Sequence, residues 1–419
     1  MTNFENVLAS FSEGNHAKGI AFEKLIKVWL KSDPFWKQQF IPESIELWEE
    51  SRHRWGRDSG IDLTAEDFSG KVWAIQTKNW NAETSLPKSE VDKFLSESNT
   101  SVIHQRLLVT TTNEISINAR NAMDRQEKPV VVVLRSDLEE SKVDWASIVA
   151  GKKVSALPTK SLRVHQAMAV ESVVKALSSC DSGQLIMACG TGKTLTAQRI
   201  AEKLKSKNTL VLVPSILLVQ QTLKDWLEDS ISPFKSLAVC SDESVGVYDQ
   251  SLSKTNELPI PVTTSSEVIN EFLDQSGNKV IFSTYQSSRR IADAIKKRDF
   301  KFDLVLADEA HRLAGNVDLD FGAVLDRDLI PAKKRLFMTA TPRIFTSAVK
   351  AQSKERGTQI SSMDDADKFG EVLFSYNFSK AIKDSVLSDY QVVIIGVTNS
   401  QIEEMVEERE FLQLSWKKF

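Results

Sequence analysis

Three short segments follow one another in an order suited to handling a triphosphate: Gly190-Thr-Gly-Lys-Thr194, Asp308-Glu-Ala-His311 and Thr339-Ala-Thr341. A glycine-rich turn between a strand and a helix lets backbone N–H groups approach phosphate oxygens closely. Gly190, Thr191 and Gly192 supply that turn, Lys193 brings a point charge to the terminal phosphates, and the Thr194 hydroxyl is suited to ligand Mg²⁺. The apolar run from Asp303 to Ala307 reads as a buried strand that delivers Asp308 and Glu309 at its C-terminal end. There Asp308 holds the metal through water, and Glu309 orients or deprotonates the attacking water. Taken singly, each segment is also compatible with a plain turn or a surface acidic pair. Met187 stands where the stricter phosphate-loop pattern has glycine.

A second group of candidates lies near the N-terminus, in Gly60-Ile-Asp-Leu63 and Gln76-Thr-Lys78. The run from Val72 to Lys78 alternates as a strand, which puts Gln76 and Lys78 on one face. Ser69-Gly70 reads as a hairpin turn. Reflection about it sets Asp62 opposite roughly Thr77, beside Gln76 and Lys78. A carboxylate, an amide oxygen and an ammonium then meet at one end of a hairpin. Such a set suits metal-assisted phosphodiester hydrolysis: the carboxylate fixes Mg²⁺, the metal lowers the pKa of water, and the lysine positions or stabilises the nucleophile. An isolated pattern this short is otherwise a solvated hairpin.

The elements that must position these groups fall into two blocks. Up to about residue 150 the chain is tryptophan-rich, and Gly151 to Lys160 carries turn formers with little periodicity, which marks a linker. Beyond it, short apolar strands (Gln184 to Ala188, Thr209 to Val213, Lys279 to Ser283, Asp303 to Ala307, Arg335 to Thr339) alternate with amphipathic helices (Val170 to Leu177, Thr194 to Lys205, Leu217 to Leu227, Glu267 to Leu273). Alternation of this kind predicts an α/β fold with a parallel sheet. The polar stretch from Asp242 to Thr264 reads as a surface loop. A further unit is expected from Phe369 onward, with Tyr390-Gln-Val-Val-Ile-Ile-Gly396 as its first buried strand.

Bulk numbers narrow the class. At 419 residues the chain has room for two or three cored domains. Its net charge of −4 gives no global nucleic-acid signature, so any DNA contact must rest on local runs such as Arg52-His-Arg54, Lys296-Lys-Arg298 and Lys333-Lys-Arg335. Cys180, Cys189 and Cys240 have no paired spacing, against both a disulfide framework and a zinc site. There is neither an apolar run of ~18 residues nor a leader-like N-terminus, so a soluble cytoplasmic protein is expected.

The later segments resemble the motor motifs of superfamily 2 helicases and translocases. Leu162-Arg-Val-His-Gln166 looks like the adenine-reading segment, which implies that Gln166 contacts adenine with Arg163 in support; read bare, it is equally a polar helix start. Val211-Leu-Val-Pro-Ser215 and Phe282-Ser-Thr-Tyr-Gln286 resemble strand-end segments of that superfamily. Phe337-Met-Thr-Ala-Thr-Pro342 resembles the motif coupling nucleotide state to domain movement, so the Thr339 and Thr341 hydroxyls are expected to bond the Asp308–His311 loop. Such motors close ATP between two RecA-like lobes, and the second supplies an arginine finger. No residue after Thr341 matches it, so the chain reads as half a motor that binds ATP but turns it over slowly.

The N-terminal block resembles the PD-(D/E)xK nuclease fold in its Mrr-like branch, where Gln replaces the second acidic residue. By that resemblance Glu23, on a helix from His16 to Leu30, approaches a metal held by Asp62 and Gln76. Asp58 is a further candidate, or only a turn initiator. A strand from Arg106 ending in Thr110-Thr-Thr112 and a helix from Ile115 complete the pattern.

Nuclease (1–150), linker (151–160), first RecA-like lobe (161–380) and the start of a second lobe (381–419) resemble, in that order, the N-terminal part of Type ISP restriction enzymes. The resemblance implies double-stranded DNA as substrate, ATP and Mg²⁺ as cofactors, and a methyltransferase and target-recognition region or subunit as partner, with a second lobe supplied in trans. Three functions compete. One is an ATP-dependent restriction endonuclease fragment or subunit, the leading expectation. The second is a DNA-stimulated ATPase or helicase whose N-terminal domain only binds DNA, and the third a non-catalytic remnant.

Overall fold

The computed structural model describes residues 4–11, 14–56, 60–68, 70–128, 130–150, 152, 159–240, 262–316, 321–355 and 360–389. Asp58, Ser69, the proposed strand from Tyr390 and most of the linker and of the Asp242–Thr264 stretch lie outside them.

Helices α1 (Phe4–Ala9), α2 (Asn15–Ser32), α3 (Ser89–Glu97), α4 (Ile117–Asp124), α5 (Arg135–Glu140) and α6 (Trp145–Val149) surround a sheet of strands β1 (Glu46–Leu47), β2 (Leu63–Glu66), β3 (Val72–Lys78), β4 (Gln105–Thr110) and β5 (Val130–Val133). The strands run in sequence order, with β1–β2–β3 antiparallel and β3–β4–β5 parallel. Because β3 is central, its residues from Val72 to Thr77 are buried on both faces. α2 forms because Phe22, Leu25, Ile26, Trp29 and Leu30 recur at helical spacing and all face the core. It stops at Asp33, which Pro34 forces into the extended region (ψ 131°). The freed Asp33 carboxylate accepts from Phe35 N (2.9 Å), Trp36 N (3.1 Å) and Ser141 Oγ (2.6 Å), and Ser141 Oγ in turn accepts from Trp29 Nε1 (2.8 Å). A buried polar chain therefore pins α2 to the loop between α5 and α6.

The second sheet is parallel throughout. It comprises β6 (Ser182–Met187), β7 (Asn208–Val213), β8 (Lys235–Val239), β9 (Val262–Thr263), β10 (Lys279–Thr284), β11 (Phe302–Ala307), β13 (Ala332–Thr339) and β15 (Glu371–Tyr376), in spatial order β15-β6-β13-β11-β7-β10-β8-β9. A separate antiparallel ribbon pairs β12 (Gly315–Asn316) with β14 (Ile360–Ser361). The helices here are α7 (Val164–Leu177), α8 (Lys193–Lys203), α9 (Ile216–Asp229), α10 (Ser266–Asp274), α11 (Ser288–Ile295), α12 (Ser347–Glu355), α13 (Ala366–Phe369) and α14 (Phe378–Lys383).

One expectation is corrected. No new unit starts at Phe369: β15 pairs in parallel with β6, and Tyr376 and Ala381 are buried in the same core as Leu185 and Met187. Val386 and Leu387 pack against that core as well. The mixed composition of Glu371-Val-Leu-Phe-Ser-Tyr376 reflects an edge strand, exposed on one side. α7 also begins six residues earlier than its apolar pattern suggests, since Val164 and Met168 on its first turns are exposed.

Candidate active sites

The phosphate-loop candidates lie at the C-terminal edge of the parallel sheet. Gly190 (φ 78°) and Gly192 (φ 83°) take left-handed backbone between β6 and α8. The φ of Gly192 favours glycine, and a Cβ there would displace the Gln166 amide, whose Nε2 it would meet at 2.2 Å. Lys193 is buried, its Nζ 3.5 Å from Met187 O and 3.7 Å from Glu309 Oε1. β11 delivers Asp308 and Glu309 alongside. Asp308 N donates to Leu212 O on β7 (2.8 Å), its carbonyl accepts from Tyr285 OH (2.5 Å), and its carboxylate accepts from Glu309 N (2.9 Å). Burial, reinforced by the Glu309 charge and opposed by Lys193, pushes the Asp308 carboxyl up to about 6.

Glu309 itself has left-handed backbone (φ 50°), uncommon for a residue with a side chain. The conformation sets its carboxylate between Lys193 and His311 Nδ1 (3.3 Å). His311 Nδ1 is also 3.0 Å from Thr339 Oγ1, which accepts from Thr341 N (3.1 Å). The link from the Asp308–His311 loop to β13 therefore runs through the Thr339 hydroxyl. Thr341 joins it by its backbone N–H, and among the described residues its hydroxyl makes no bond to that loop.

A cavity of about 450 Å³ opens beside the loop, with Arg163, Gln166, Gly190, Thr191, Gly192 and Thr194 in its lining. Gln166 is turned onto the loop: its Oε1 accepts from Arg163 N (2.8 Å) and its Nε2 donates to Thr191 O (3.2 Å). Adenine contact by this amide therefore requires exchange of those bonds. His165, passed over in the sequence, is held there too. Its Nε2 lies 3.0 Å from Thr191 O and its ring stacks on Tyr376 at 4.6 Å. A histidine next to a glutamine on a helix start gives no signal of its own.

In the N-terminal domain the hairpin turn is tight, with Gly70 N donating to Asp67 O (2.9 Å) and Asp67 N to Lys71 O (3.0 Å). The register pairs Leu63 with Ile75, which sets Asp62 across from Gln76, one position from the expected place. The Asp62 carboxylate reaches Thr77 nonetheless, accepting from its N (2.6 Å) and Oγ1 (3.1 Å). Gln76 Nε2 donates to Gly60 O (3.0 Å), whereas its Oε1 is buried without a hydrogen-bond partner. Burial pushes the Glu23 carboxyl up to about 7, with Asp62 and Glu49 adding to the rise and Lys24 opposing it.

Asp62 and Gln76 face each other across the hairpin, Glu23 is near enough to Asp62 for their charges to interact, and these groups fit a divalent cation. An orphaned amide oxygen and two mutually repelling carboxylates are what a cation would satisfy. Among the described residues no three His, Cys, Asp or Glu side chains cluster in metal-holding geometry. Lys78 Nζ is paired with Glu90 Oε2 at 2.9 Å. Glu90 lies on α3, outside the hairpin, and only the fold reveals it. Thr111 and Thr112 are structural: Thr111 Oγ1 donates to Trp80 O (2.6 Å) and Thr112 Oγ1 to Thr84 O (2.8 Å).

A hairpin whose side chains fit a metal lies in one domain and a phosphate loop facing an acidic pair in the next, a layout similar to a nuclease-type domain joined to a helicase-type lobe. Residues 31–155 match the family described as restriction endonuclease, of the Mrr type, and residues 159–344 the family described as Type III restriction enzyme, res subunit. The chain carries those two domains in that order. Over 98% of its length it is similar to the ATP-dependent Type ISP restriction-modification enzyme LlaBIII bound to DNA, with 31% identity and a TM-score of 0.77, covering 27% of that chain. A probable helicase of African swine fever virus is 29% identical over 236 residues, 56% of this chain and 24% of the viral protein. The EcoAI endonuclease subunit of the type I restriction enzyme of Escherichia coli is 25% identical over 243 residues, 57% and 24% of the two chains. The chain thus spans about a quarter of the length of these curated relatives. No helix among the described residues is long and apolar enough to cross a membrane.

Proposed function

We propose that this chain is the nuclease and first motor lobe of an ATP-dependent restriction endonuclease acting on double-stranded DNA. The observation that carries the reading is the buried, unpartnered Gln76 Oε1 across from Asp62, whose charge is felt by Glu23. Asp62, Gln76 and Glu23 would hold Mg²⁺, which when bound supplies Lewis acidity toward water and phosphate. Asp62 is oriented by its two bonds from Thr77. Lys78 carries the positive charge next to the scissile phosphate, and Glu90 fixes its position. In the second domain Gly190 to Thr194 would hold the phosphates of ATP, Thr194 and Asp308 would hold Mg²⁺, and Glu309 would orient the attacking water. His311 and Thr339 pass the state of that pocket to β13.

Partners follow from the similarity to Type ISP enzymes: a second helicase lobe and a methyltransferase and target-recognition region or subunit. Residues 1–419 should bind ATP, and fast hydrolysis should need the arginine finger that a second lobe supplies in such motors. The experiment is nicking of supercoiled plasmid by the purified chain with Mg²⁺ or with EDTA. Cleavage should need Mg²⁺ and vanish in Asp62→Ala and in Lys78→Ala at unchanged circular dichroism. Cleavage surviving both substitutions overturns the assignment.

A further inference from the structure

Asp229 ends α9 as a buried carboxylate, and it is claimed from two directions. Lys142 of the N-terminal domain places its Nζ 3.2 Å from Asp229 Oδ2 and 3.0 Å from Glu228 Oε2. Lys160, just ahead of the motor domain, places its Nζ 2.8 Å from Oδ2 and donates its backbone N–H to Oδ1 at 3.1 Å. Lys160 O in turn accepts from Arg199 Nη2 (3.3 Å), and Arg199 lies on α8, the helix that starts at the phosphate loop. Asp229, Asp225 and Lys160 form one wall of the 450 Å³ cavity whose other wall is Arg163, Gln166 and the loop. Lys142 is not part of that lining.

Two further residues of α9 reach the N-terminal domain. Lys224 pairs with Glu140 (3.1 Å) on α5, and Leu227 O accepts from Gln38 Nε2 (2.7 Å). One end of this helix follows β7, and its other end holds the cavity wall. Buried and claimed by three donors, Asp229 cannot serve one neighbour in a changed position without altering the others.

We infer that Asp229 is a positioning residue shared by both domains: through Lys142 and Lys160 it links nuclease-domain docking on α9 to nucleotide binding in the cavity. The inference rests on the nucleotide reading of that cavity given above. Linkage is reciprocal, so whatever nucleotide binding gains from docking, docking gains from nucleotide.

The test uses the full chain, Mg²⁺ and a fluorescent ATP analogue, with Lys142→Met, Asp229→Asn, the double variant, and Lys193→Ala as control. Lys142→Met should weaken nucleotide affinity by at least about fivefold, the low end of usual coupling, although the residue lies outside the cavity. The double variant should bind no more weakly than Asp229→Asn, since both break one link. Hydrogen exchange gives a readout that a merely structural role would leave alone. In the unaltered chain nucleotide should raise protection of residues 135–149, and both single variants should lose that nucleotide-dependent difference. Unchanged affinity and an unchanged difference in Lys142→Met overturn the inference, and this variant decides alone if Asp229→Asn misfolds. If the unaltered chain and Lys193→Ala bind the analogue equally, the nucleotide reading itself fails, a distinct result.

Discussion

Lys193 Nζ stands 3.7 Å from Glu309 Oε1, so the ammonium expected on the phosphates and the carboxylate expected on the attacking water face each other directly. ATP entering this space has to take Lys193 from Glu309. Lys193→Ala should then lower ATP affinity by about 10- to 150-fold, the range for losing one charge-assisted contact of ~1.5–3 kcal/mol. Glu309→Gln should keep affinity within a few-fold and remove hydrolysis. Calorimetry and phosphate release check the pair, and equal affinity in Lys193→Ala would sink the loop assignment.

Thr339→Val deletes the hydroxyl that bonds His311 and Thr341 N. Nucleotide contacts remain, so affinity should hold while turnover falls about tenfold, equivalent to ~1.4 kcal/mol on the barrier. A drop in affinity with turnover unchanged would place Thr339 in binding instead.

Glu90→Gln should leave the fold intact, because a partly exposed ion pair contributes little, ~0–1 kcal/mol. The freed Lys78 loses its fixed position, and plasmid cleavage should slow by about tenfold in kcat without a rise in KM. If cleavage by this variant matches that of the unaltered chain, Glu90 has no part in placing Lys78.

Asp33 gives a pH signature. Burial raises its carboxyl above the usual 3.8, against the bonds from Ser141, Trp36 and Phe35. Because the folded value lies above the unfolded one, its contribution is full below about pH 4 and is lost as pH rises through the raised value. Asp33→Asn cannot titrate. Urea denaturation should therefore show the unaltered chain losing stability relative to Asp33→Asn as pH increases from about 4. A constant difference across pH would mean that Asp33 titrates alike in both states. Asp33→Ala, which strands three donors, should cost roughly 2–3 kcal/mol below about pH 4 and less as pH rises.

Much of this arrangement was legible in the sequence where a residue type has one physical use. Gly192 is needed for its φ, and the doubly buried strands β6, β7, β10, β11 and β13 announce themselves as short apolar runs. The hairpin places Asp62 within one register position, since alternation and turn length fix a ladder. What stayed hidden depends on distant neighbours. Glu90 reaches Lys78 from another element, His165 gains meaning only from Tyr376 beneath it, and Asp229 reads as an ordinary helix end until Lys142 and Lys160 close on it. β15 was misread for the same reason: its partner β6 lies far upstream in the chain.

That pairing has a consequence for assembly. Gln184 on the phosphate-loop strand donates to Met363 O (2.8 Å) and Gly370 O (2.7 Å), and β6 keeps an open edge until Tyr376 has been made. Contacts so remote in sequence carry a large loop-closure cost and form late. On the ribosome the N-terminal domain emerges complete long before the parallel sheet can close. The N-terminal domain would thus mature first, and α9, the helix it docks against, would be released from the ribosome while its own sheet still lacks an edge.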